Sequence, residues 1–341
     1  MGVLDETVRG RPRVYIISMA VTTLRVSAFV ILLAAGIYSQ EPSKQEPIKQ
    51  DDIIRLDVNL VDVLCTVRGK NNALIGNLEQ KDFRVFEDGK EQTIKHFEHQ
   101  TNLPLTIGLL VDVSGSQERL IDSEKRAANQ FFSQVLRAKD SAFIISFGKD
   151  AELLQDFTAS PKLLREGLDQ LRLSVPVGGL HPGPVPTIQN QAGTILYDAI
   201  YLAADEKLKN EVDRKVIVVI TDGVDTGSRK SREDAIQAAL KADTVIYSIL
   251  YEDVAGFGGG GGGTLKRMSG DTGGRVFEVD RKHTLDDAFR EIQEEMRTQY
   301  AIAYAPTNEK RDGTFRKIEI RTGNKDEKVQ TRKGYYAVNP N

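Results

Sequence analysis

The sequence predicts an α/β fold in which a doubly wound, mostly parallel sheet is inserted into a small β-sandwich. Between residues 103 and 297, nearly continuous apolar strands alternate with amphipathic helical segments. Before residue 100 and after residue 300, short strands follow one another without helices between them. The 341 residues also exceed what one hydrophobic core usually fills, so we expect two globular units.

The two flanking segments, residues 53–100 and 300–338, are predicted to form one discontinuous β-sandwich. Turn residues separate the early apolar runs. After residue 297, "QYAIAYAP", "TFRKIEIRT" and "KVQTRKGYYAV" each alternate with period two and are each predicted to be a strand. Asp88-Gly89 indicates a hairpin, because both central residues of a type I′ turn need positive φ. Each segment has too few strands to cover both of its faces, so we expect the two to depend on each other. Cys65 lies in the strand "VDVLCTV" and is expected to be a buried thiol.

The central segment, residues 103–297, is predicted to build the parallel sheet. It opens with the strand "LTIGLLVDV" and the helix "QERLIDSEKRAANQFFSQVL". The later elements are strands "SAFIISFG" and "AELLQDF", helices "SPKLLREGLDQL" and "TILYDAIYLAADEKL", strand "KVIVVITDG", helix "SREDAIQAALKA", strand "TVIYSILY", helix "TLKRMS", strand "RVFEV" and helix "TLDDAFREIQEEMRTQ". Repeated βα units indicate right-handed crossovers, and ligands of such sheets bind at the carboxyl ends of the strands.

The amino-terminal residues 1–39 have the layout of a secretory signal. Arg25 precedes about a dozen apolar residues, and Ser39 precedes a polar stretch. The apolar run is short for a membrane span, although an uncleaved signal anchor is the alternative. Because the segment from Met19 alone forms an ordinary signal, we place the start of translation there. Residues 40–52 are expected to be a linker, and the folded part is expected to work outside the cytoplasm.

Charge and cysteine content exclude several classes of function. The chain has 46 basic and 49 acidic residues, a net charge of −3, with the two signs interleaved. We therefore expect no nucleic-acid partner, and contact with a membrane only through an uncleaved anchor. One cysteine excludes an internal disulfide framework and cysteine-rich metal sites.

Oxygen-bearing side chains follow the predicted strands at three places. They are Asp112, Ser114 and Ser116 in "DVSGS", Thr194 after "NQAG", and Asp222 in "TDG". We choose Thr194 over the nearby Thr187 because it opens a helix and follows a glycine. Two carboxylates and three hydroxyls, without His or Cys, suit Mg²⁺ or Mn²⁺ and leave room for an outside oxygen. Taken singly, "DVSGS" is equally typical of a helix cap, and "TDG" of a strand-end turn.

These motifs resemble those of von Willebrand factor type A domains over about residues 103–296. "DVSGS" matches the D-x-S-x-S signature, "GTILYDAI" is similar to the second element, and "VIVVITDG" is similar to the third. The resemblance implies a metal-ion-dependent adhesion site that contains all five residues. In it Ser114, Ser116 and Thr194 touch the metal, while Asp112 and Asp222 bind it directly or through water.

The flanking segments extend the resemblance to the whole chain. With "KDFRVFEDGKEQTIKHF", "FRKIEI" and "RKGYYAV", the chain resembles secreted, acidobacterial-type von Willebrand A-related proteins. The resemblance implies an exported binding protein, not an enzyme, whose metal engages an Asp or Glu carboxylate of a partner protein.

Two alternatives to the adhesion function are a metal-dependent hydrolase and a structural domain whose metal only stabilises the fold. A hydrolase is disfavoured because no general base accompanies the site. Phosphatases of the haloacid dehalogenase type also need a second Asp at the position that Ser114 occupies.

Two loops and the four histidines are the remaining candidates for ligand sites. The glycine run "GFGGGGGG", residues 256–263, contains a formal G-x-G-x-x-G that its composition explains, so we expect a flexible loop and no nucleotide site. The Pro- and Gly-rich residues 174–191 are expected to form either a specificity loop beside the metal or a plain exposed insertion. The histidines lack partners at metal-ligand spacing, and we expect them to be structural or solvated; they are His96, His99, His181 and His283.

Overall fold

The structure is a computed structural model that describes residues 60–99, 103–117, 120–173, 193–251 and 261–338. The predicted signal (1–39), the linker (40–52) and the loop 174–191 with Thr187 and His181 lie outside the described residues. Every described residue belongs to one compact unit, which lies within Leu56–Asn341. No helix among these described residues is long and apolar enough to cross a bilayer.

The segment before the central sheet forms four strands. They are β1 (Val61–Arg68), β2 (Phe83–Glu87), β3 (Lys90–Gln92) and β4 (Ile94–His99). Asp88 and Gly89 link β2 to β3 with φ angles of 48° and 82°, which confirms the predicted hairpin. Cys65 on β1 is 1% exposed, and burial raises the pKa of its thiol. His96 and His99 are exposed.

The central segment alternates strands and helices. In chain order these are β5 (Leu105–Asp112), α1 (Ile121–Val135), β6 (Ser141–Phe147), β7 (Ala151–Thr158), α2 (Pro161–Asp169), α3 (Leu196–Leu202), β8 (Arg214–Thr221), α4 (Arg232–Lys241), β9 (Thr244–Tyr251), α5 (Gly261–Thr272), β10 (Val276–Val279) and α6 (Leu285–Arg297). A 3₁₀ turn, Gly115–Gln117, precedes α1, and a π-helical segment, Ala203–Leu208, continues α3. Side chains of Ser160, Ser231 and Thr284 cap the N-termini of α2, α4 and α6.

The six central strands form one sheet in the order β10-β9-β8-β5-β6-β7. All neighbours are parallel except β6 and β7. Side chains of α1, α2 and α6 pack on one face, and those of α3, α4 and α5 pack on the other. Because both faces are covered, every residue of the central strand β5 is buried. The predicted fold class, a doubly wound and mostly parallel sheet, is confirmed.

Four strands follow α6 and join the first four in two antiparallel sheets. They are β11 (Tyr300–Tyr304), β12 (Phe315–Thr322), β13 (Lys328–Thr331) and β14 (Gly334–Tyr336). One sheet has the order β13-β1-β11-β4 and the other has the order β14-β12-β2-β3. Each of these two sheets combines strands from both flanking segments. The two sheets share one apolar core.

The carboxyl-terminal stretch "KVQTRKGYYAV" was predicted as one strand and is instead two. β13 and β14 belong to different sheets, with Arg332 and Lys333 between them. Arg332 forms an ion pair with Asp243, and the Lys333 N–H donates to the Asp271 carbonyl at 3.0 Å. These contacts hold the chain against the central segment and interrupt the strand.

The prediction of a flexible loop over residues 256–263 is wrong at its end, because α5 begins at Gly261 and not at Thr264. Residues 252–260 lie outside the part of the chain that the structure describes. The first turn of α5 packs directly on the turn that follows β8, and glycine permits this close approach.

A buried ion pair joins the flanking strands to the central segment. The Arg68 guanidinium on β1 contacts the Glu295 carboxylate on α6 at 2.5 Å. Arg275 contacts the same carboxylate at 2.8 Å. Together with the Arg332 and Lys333 contacts, this interface lies near the amino ends of β9 and β10, away from the carboxyl ends of the parallel strands.

Candidate metal site

Asp112, the last residue of β5, has a carboxylate that is fixed on both sides. The residue is fully buried. Its Oδ2 accepts a hydrogen bond of 2.6 Å from the Thr221 hydroxyl, and its Oδ1 accepts one of 2.9 Å from the Ser114 N–H. β5 and β8 are adjacent and parallel, so the strand pairing itself brings Thr221 to Asp112.

Asp222 follows β8 directly and begins a tight turn. Val111 pairs with Ile220, so Asp222 lies one residue beyond the level of Asp112 on the neighbouring strand. Its Oδ1 accepts a hydrogen bond of 3.0 Å from the Val224 N–H. Gly223 has a φ of 80°, and its N–H donates to the Thr221 hydroxyl at 3.1 Å. Thr221 therefore binds both the Asp112 carboxylate and the turn of Asp222.

Thr194 lies before α3 and is tied to the strands on both sides of β5. The N–H of the next residue, Ile195, donates to the Gly148 carbonyl at the end of β6, at 2.9 Å. On the other side, the Thr194 N–H donates to the Thr226 hydroxyl at 3.0 Å, and its carbonyl accepts from the Thr226 N–H at 3.0 Å. Since β6 and β8 flank β5, these bonds hold Thr194 between the loops that follow β6 and β8, at the carboxyl-terminal edge of the sheet.

The two serines follow Asp112 in the loop that leads to α1. Ser114 is partly exposed, and its hydroxyl forms a hydrogen bond with the Asp112 carboxylate. Ser116 lies in the 3₁₀ turn Gly115–Gln117, but its side chain is outside what the structure describes. The fold therefore gathers Asp112, Ser114, Thr194 and Asp222 at one edge of the sheet.

Acidic side chains cluster at this edge. Burial raises the pKa of Asp112; hydrogen bonds with Thr221 and Ser114 lower it, and the negative charge of Asp222 raises it further. Glu124, on α1, is fully buried, and neither of its carboxylate oxygens has a hydrogen-bond partner among the described residues. Burial, together with the charge of Asp112, raises the pKa of Glu124 to about 8. A cation bound here would offset this unfavourable charge.

The donor set fits a hard cation. Within the described ranges, no group of three or more His, Cys, Asp or Glu side chains could hold a metal. A cation at this edge would therefore rely on two carboxylates and on hydroxyls. Such oxygen donors suit Mg²⁺ or Mn²⁺, whereas zinc sites commonly use His or Cys.

Three residues of the site were missed by the sequence reading. Thr221 is adjacent to the predicted Asp222, but only the pairing of β8 with β5 reveals its bond to Asp112. Thr226 acts through a long-range bond that no local pattern signals. Glu124 could have been found, because it lies at helical spacing on the buried stripe of α1 with Ala127, Ala128 and Phe131.

Comparison with known proteins places this segment in a family. The model of the von Willebrand factor type A domain matches residues 107–224, a range that contains all five predicted metal ligands. In a comparison with curated protein sequences, none matches this chain.

Several solved structures are similar to this chain. The protein BatB from Bacteroides thetaiotaomicron is 19% identical, with 56% of this chain and 97% of that chain covered and a TM-score of 0.42. A protein described as von Willebrand factor type A from Catenulispora acidiphila is 11% identical, with 83% and 74% covered and a TM-score of 0.45.

A third solved structure is proximal thread matrix protein 1 from the mussel byssus, described with a zinc-occupied MIDAS motif, that is, a metal-ion-dependent adhesion site. It is 16% identical, with a TM-score of 0.46; 62% of this chain is covered, but only 50% of the mussel protein's length. On the match of the family model, the segment from residue 107 to residue 224 belongs to the von Willebrand factor type A domain family.

Proposed function

We propose that this protein is an exported binding module that holds Mg²⁺ or Mn²⁺ at the carboxyl ends of β5 and β8 and engages a carboxylate of a partner protein through it. The observation that carries this proposal is the joint placement of Asp112, Asp222 and Thr194. Two carboxylates leave adjacent parallel strands, and Thr194 is bound between the loops that follow β6 and β8 at the same edge of the sheet.

The metal would be held by the five residues that the sequence singled out. These are Asp112, Ser114, Ser116, Thr194 and Asp222. The bound cation would supply an electrophilic position for a carboxylate oxygen. Thr221 orients the Asp112 carboxylate and the turn of Asp222 before any ligand arrives, so little rearrangement opposes binding.

A partner carboxylate is the ligand that this donor set favours. Mg²⁺ takes about six oxygens, and five protein donors leave room for one more. The backbone N–H groups of Ser114 and Val224 already donate to the two carboxylates, which spreads their charge. An incoming carboxylate would then form a charge-assisted bond at the edge of the protein.

A metal-dependent hydrolase is the second candidate function, and one observation disfavours it. Glu124 has a pKa near neutrality, as a general base would, but it is fully buried on α1. A substrate at the strand ends could not reach it without opening the helix. We therefore propose a binding role and not an enzymatic one.

Capture of partner proteins from exported fractions tests this function. The chain is immobilised as the parent, as Asp222→Ala and as Asp326→Ala, an exposed aspartate in the loop between β12 and β13. We expect partners that parent and Asp326→Ala retain in Mg²⁺ but not in chelator, and that Asp222→Ala does not retain. Esterifying the carboxylates of the captured fraction should also abolish retention. Retention that neither chelator nor Asp222→Ala reduces would contradict the proposal.

A further inference from the structure

The first residue of α5 lies against the turn that carries Asp222. A Cβ atom added to Gly261 would be 2.0 Å from the Asp222 carbonyl oxygen and 2.7 Å from the Gly223 carbonyl carbon. In the reverse direction, a Cβ added to Gly223 would be 2.6 Å from the Gly261 carbonyl oxygen. The two backbone segments therefore touch directly, and a side chain on either residue would separate them.

The glycines of the run are not equivalent in this respect. A Cβ added to Gly263 would meet nothing within 4 Å. At Gly263 the packing would accept a side chain. At Gly261 the packing requires glycine. The residue is therefore more than a part of a flexible linker.

The body of α5 is fixed, so a side chain at Gly261 would displace the turn more easily than the helix. Leu265 and Met268 are fully buried against the sheet. The Ser269 and Ser248 hydroxyls are 2.8 Å apart, and the Ile246 N–H donates to the Thr272 hydroxyl at 3.1 Å. These contacts anchor α5 on β9, which is the neighbour of β8.

We propose that Gly261 is a positioning residue for Asp222. The first turn of α5, which has no side chain at Gly261, supports the backbone of Asp222 and Gly223, and this support holds the Asp222 carboxylate beside the end of β5. The inference rests on the proposed metal binding and goes beyond it, because it assigns a role to Gly261, which is not one of the proposed metal ligands.

Two alanine substitutions in one turn of one helix test the proposal. Gly261→Ala and Gly263→Ala both add a methyl group and both increase helix propensity. We expect Gly263→Ala to bind Mn²⁺ as the parent does and to melt at the same or a higher temperature. For Gly261→Ala we expect at least a tenfold weaker affinity for Mn²⁺, together with faster hydrogen exchange at the Val224 amide in chelator. That amide donates to the Asp222 carboxylate, so its exchange reports the turn without any metal.

The outcomes separate this inference from the function on which it rests. If the folded parent does not bind Mn²⁺, the proposed function and this inference both fail. If parent, Gly263→Ala and Gly261→Ala bind Mn²⁺ equally, only the role of Gly261 is overturned. Should Gly261→Ala not fold, hydrogen exchange of the parent decides. Mg²⁺ should then slow exchange at residues 222–224 and at 261–265 together, and slowing confined to residues 222–224 would overturn the proposal.

Discussion

The sandwich and the central sheet each bury a glutamate side chain, Glu87 and Glu124, but only Glu87 has hydrogen-bond and ion-pair partners among the described residues. In the sandwich, Glu87 accepts hydrogen bonds from Tyr304 at 2.8 Å and from Tyr335 at 3.0 Å, and its other oxygen lies 3.4 Å from the Arg316 guanidinium. In the central sheet, Glu124 is equally buried and has no hydrogen-bond partner among the described residues.

This difference distinguishes a polar cluster whose charges are paired within the protein from the one at the proposed metal site. Glu87 and Arg316 are each about 2% exposed and neutralise each other, so the sandwich is complete without a ligand. At the carboxyl ends of β5 and β8, the carboxylates of Asp112 and Asp222 carry charges of the same sign, and burial together with the charge of Asp112 raises the pKa of the nearby Glu124 to about 8. Uncompensated buried charge persists in proteins mainly where it serves a function, and a cation would complete this cluster.

The largest expected effect comes from removing one partner of the sandwich pair. Glu87→Ala leaves Arg316 buried without its counter-charge and removes the acceptor of two tyrosines. We expect the free energy of unfolding to fall by about 3–5 kcal/mol, measured by urea denaturation. The Mn²⁺ affinity of the folded fraction should not change, because Glu87 and Arg316 are not among the proposed metal ligands. A loss below about 1 kcal/mol would show that the sandwich cluster is not the self-sufficient unit described above.

Glu124 sharpens the comparison through pH. Its pKa is about 8 in the folded chain against an ordinary value of 4.5, so between these values the folded state binds the extra proton. Stability therefore falls as pH rises through this window, by on the order of 4 kcal/mol between pH 5 and pH 9. The measurement is urea denaturation of the metal-free chain at several pH values.

The matched variant for this prediction is Glu124→Gln, which keeps the shape of the side chain and removes its proton equilibrium. It should be more stable than the parent at pH 9 and nearly equal to it at pH 5. If parent and Glu124→Gln lost stability in parallel as pH rose, Glu124 would not be the buried acid that distinguishes the two regions. The negative charge of Asp112 raises the pKa of Glu124, and the charge of Glu124 raises the pKa of Tyr251. Asp112 and Tyr251 are present in both proteins.

A smaller effect is expected from the bond that ties Thr194 to the loop after β8. Thr226→Val removes the acceptor of the Thr194 N–H and keeps the side-chain volume. The free energy of unfolding should fall by about 1 kcal/mol, the usual contribution of one hydrogen bond. Calorimetric Mn²⁺ titration should show severalfold weaker affinity. Thr314→Val, in an exposed turn of the sandwich, is the control, and an equal loss of affinity there would argue against a local role for Thr226.

Local sequence patterns predicted the central fold well because its strands are buried on both faces. "TVIYSILY" coincides with β9, and the apolar run before "DVSGS" forms most of β5. Patterns failed where a distant contact determines the local structure. Arg332 and Lys333 divide a predicted strand because they bind Asp243 and Asp271, which lie far away in the chain.

The site could be predicted only in part for the same reason. The carboxylates of Asp112 and Asp222 follow apolar strands, and parallel pairing brings such ends together. The hydrogen bonds from Thr221 and Thr226 depend on which strands are neighbours. The role of Gly261 depends on where α5 begins, and a run of glycines gives no local signal of a helix start.

The most direct test of the central claim is calorimetric titration of the folded chain with Mn²⁺, beside Asp222→Ala, Ser114→Ala and the control Asp326→Ala. We expect parent and control to bind one Mn²⁺ and both site variants to bind it at least tenfold more weakly. In chelator, all four should unfold within about 1 kcal/mol of one another, because the changed side chains are exposed or partly exposed. No Mn²⁺ binding by the folded parent, or a loss of stability in Ser114→Ala without a loss of affinity, would contradict the claim that these hydroxyls and carboxylates serve a metal.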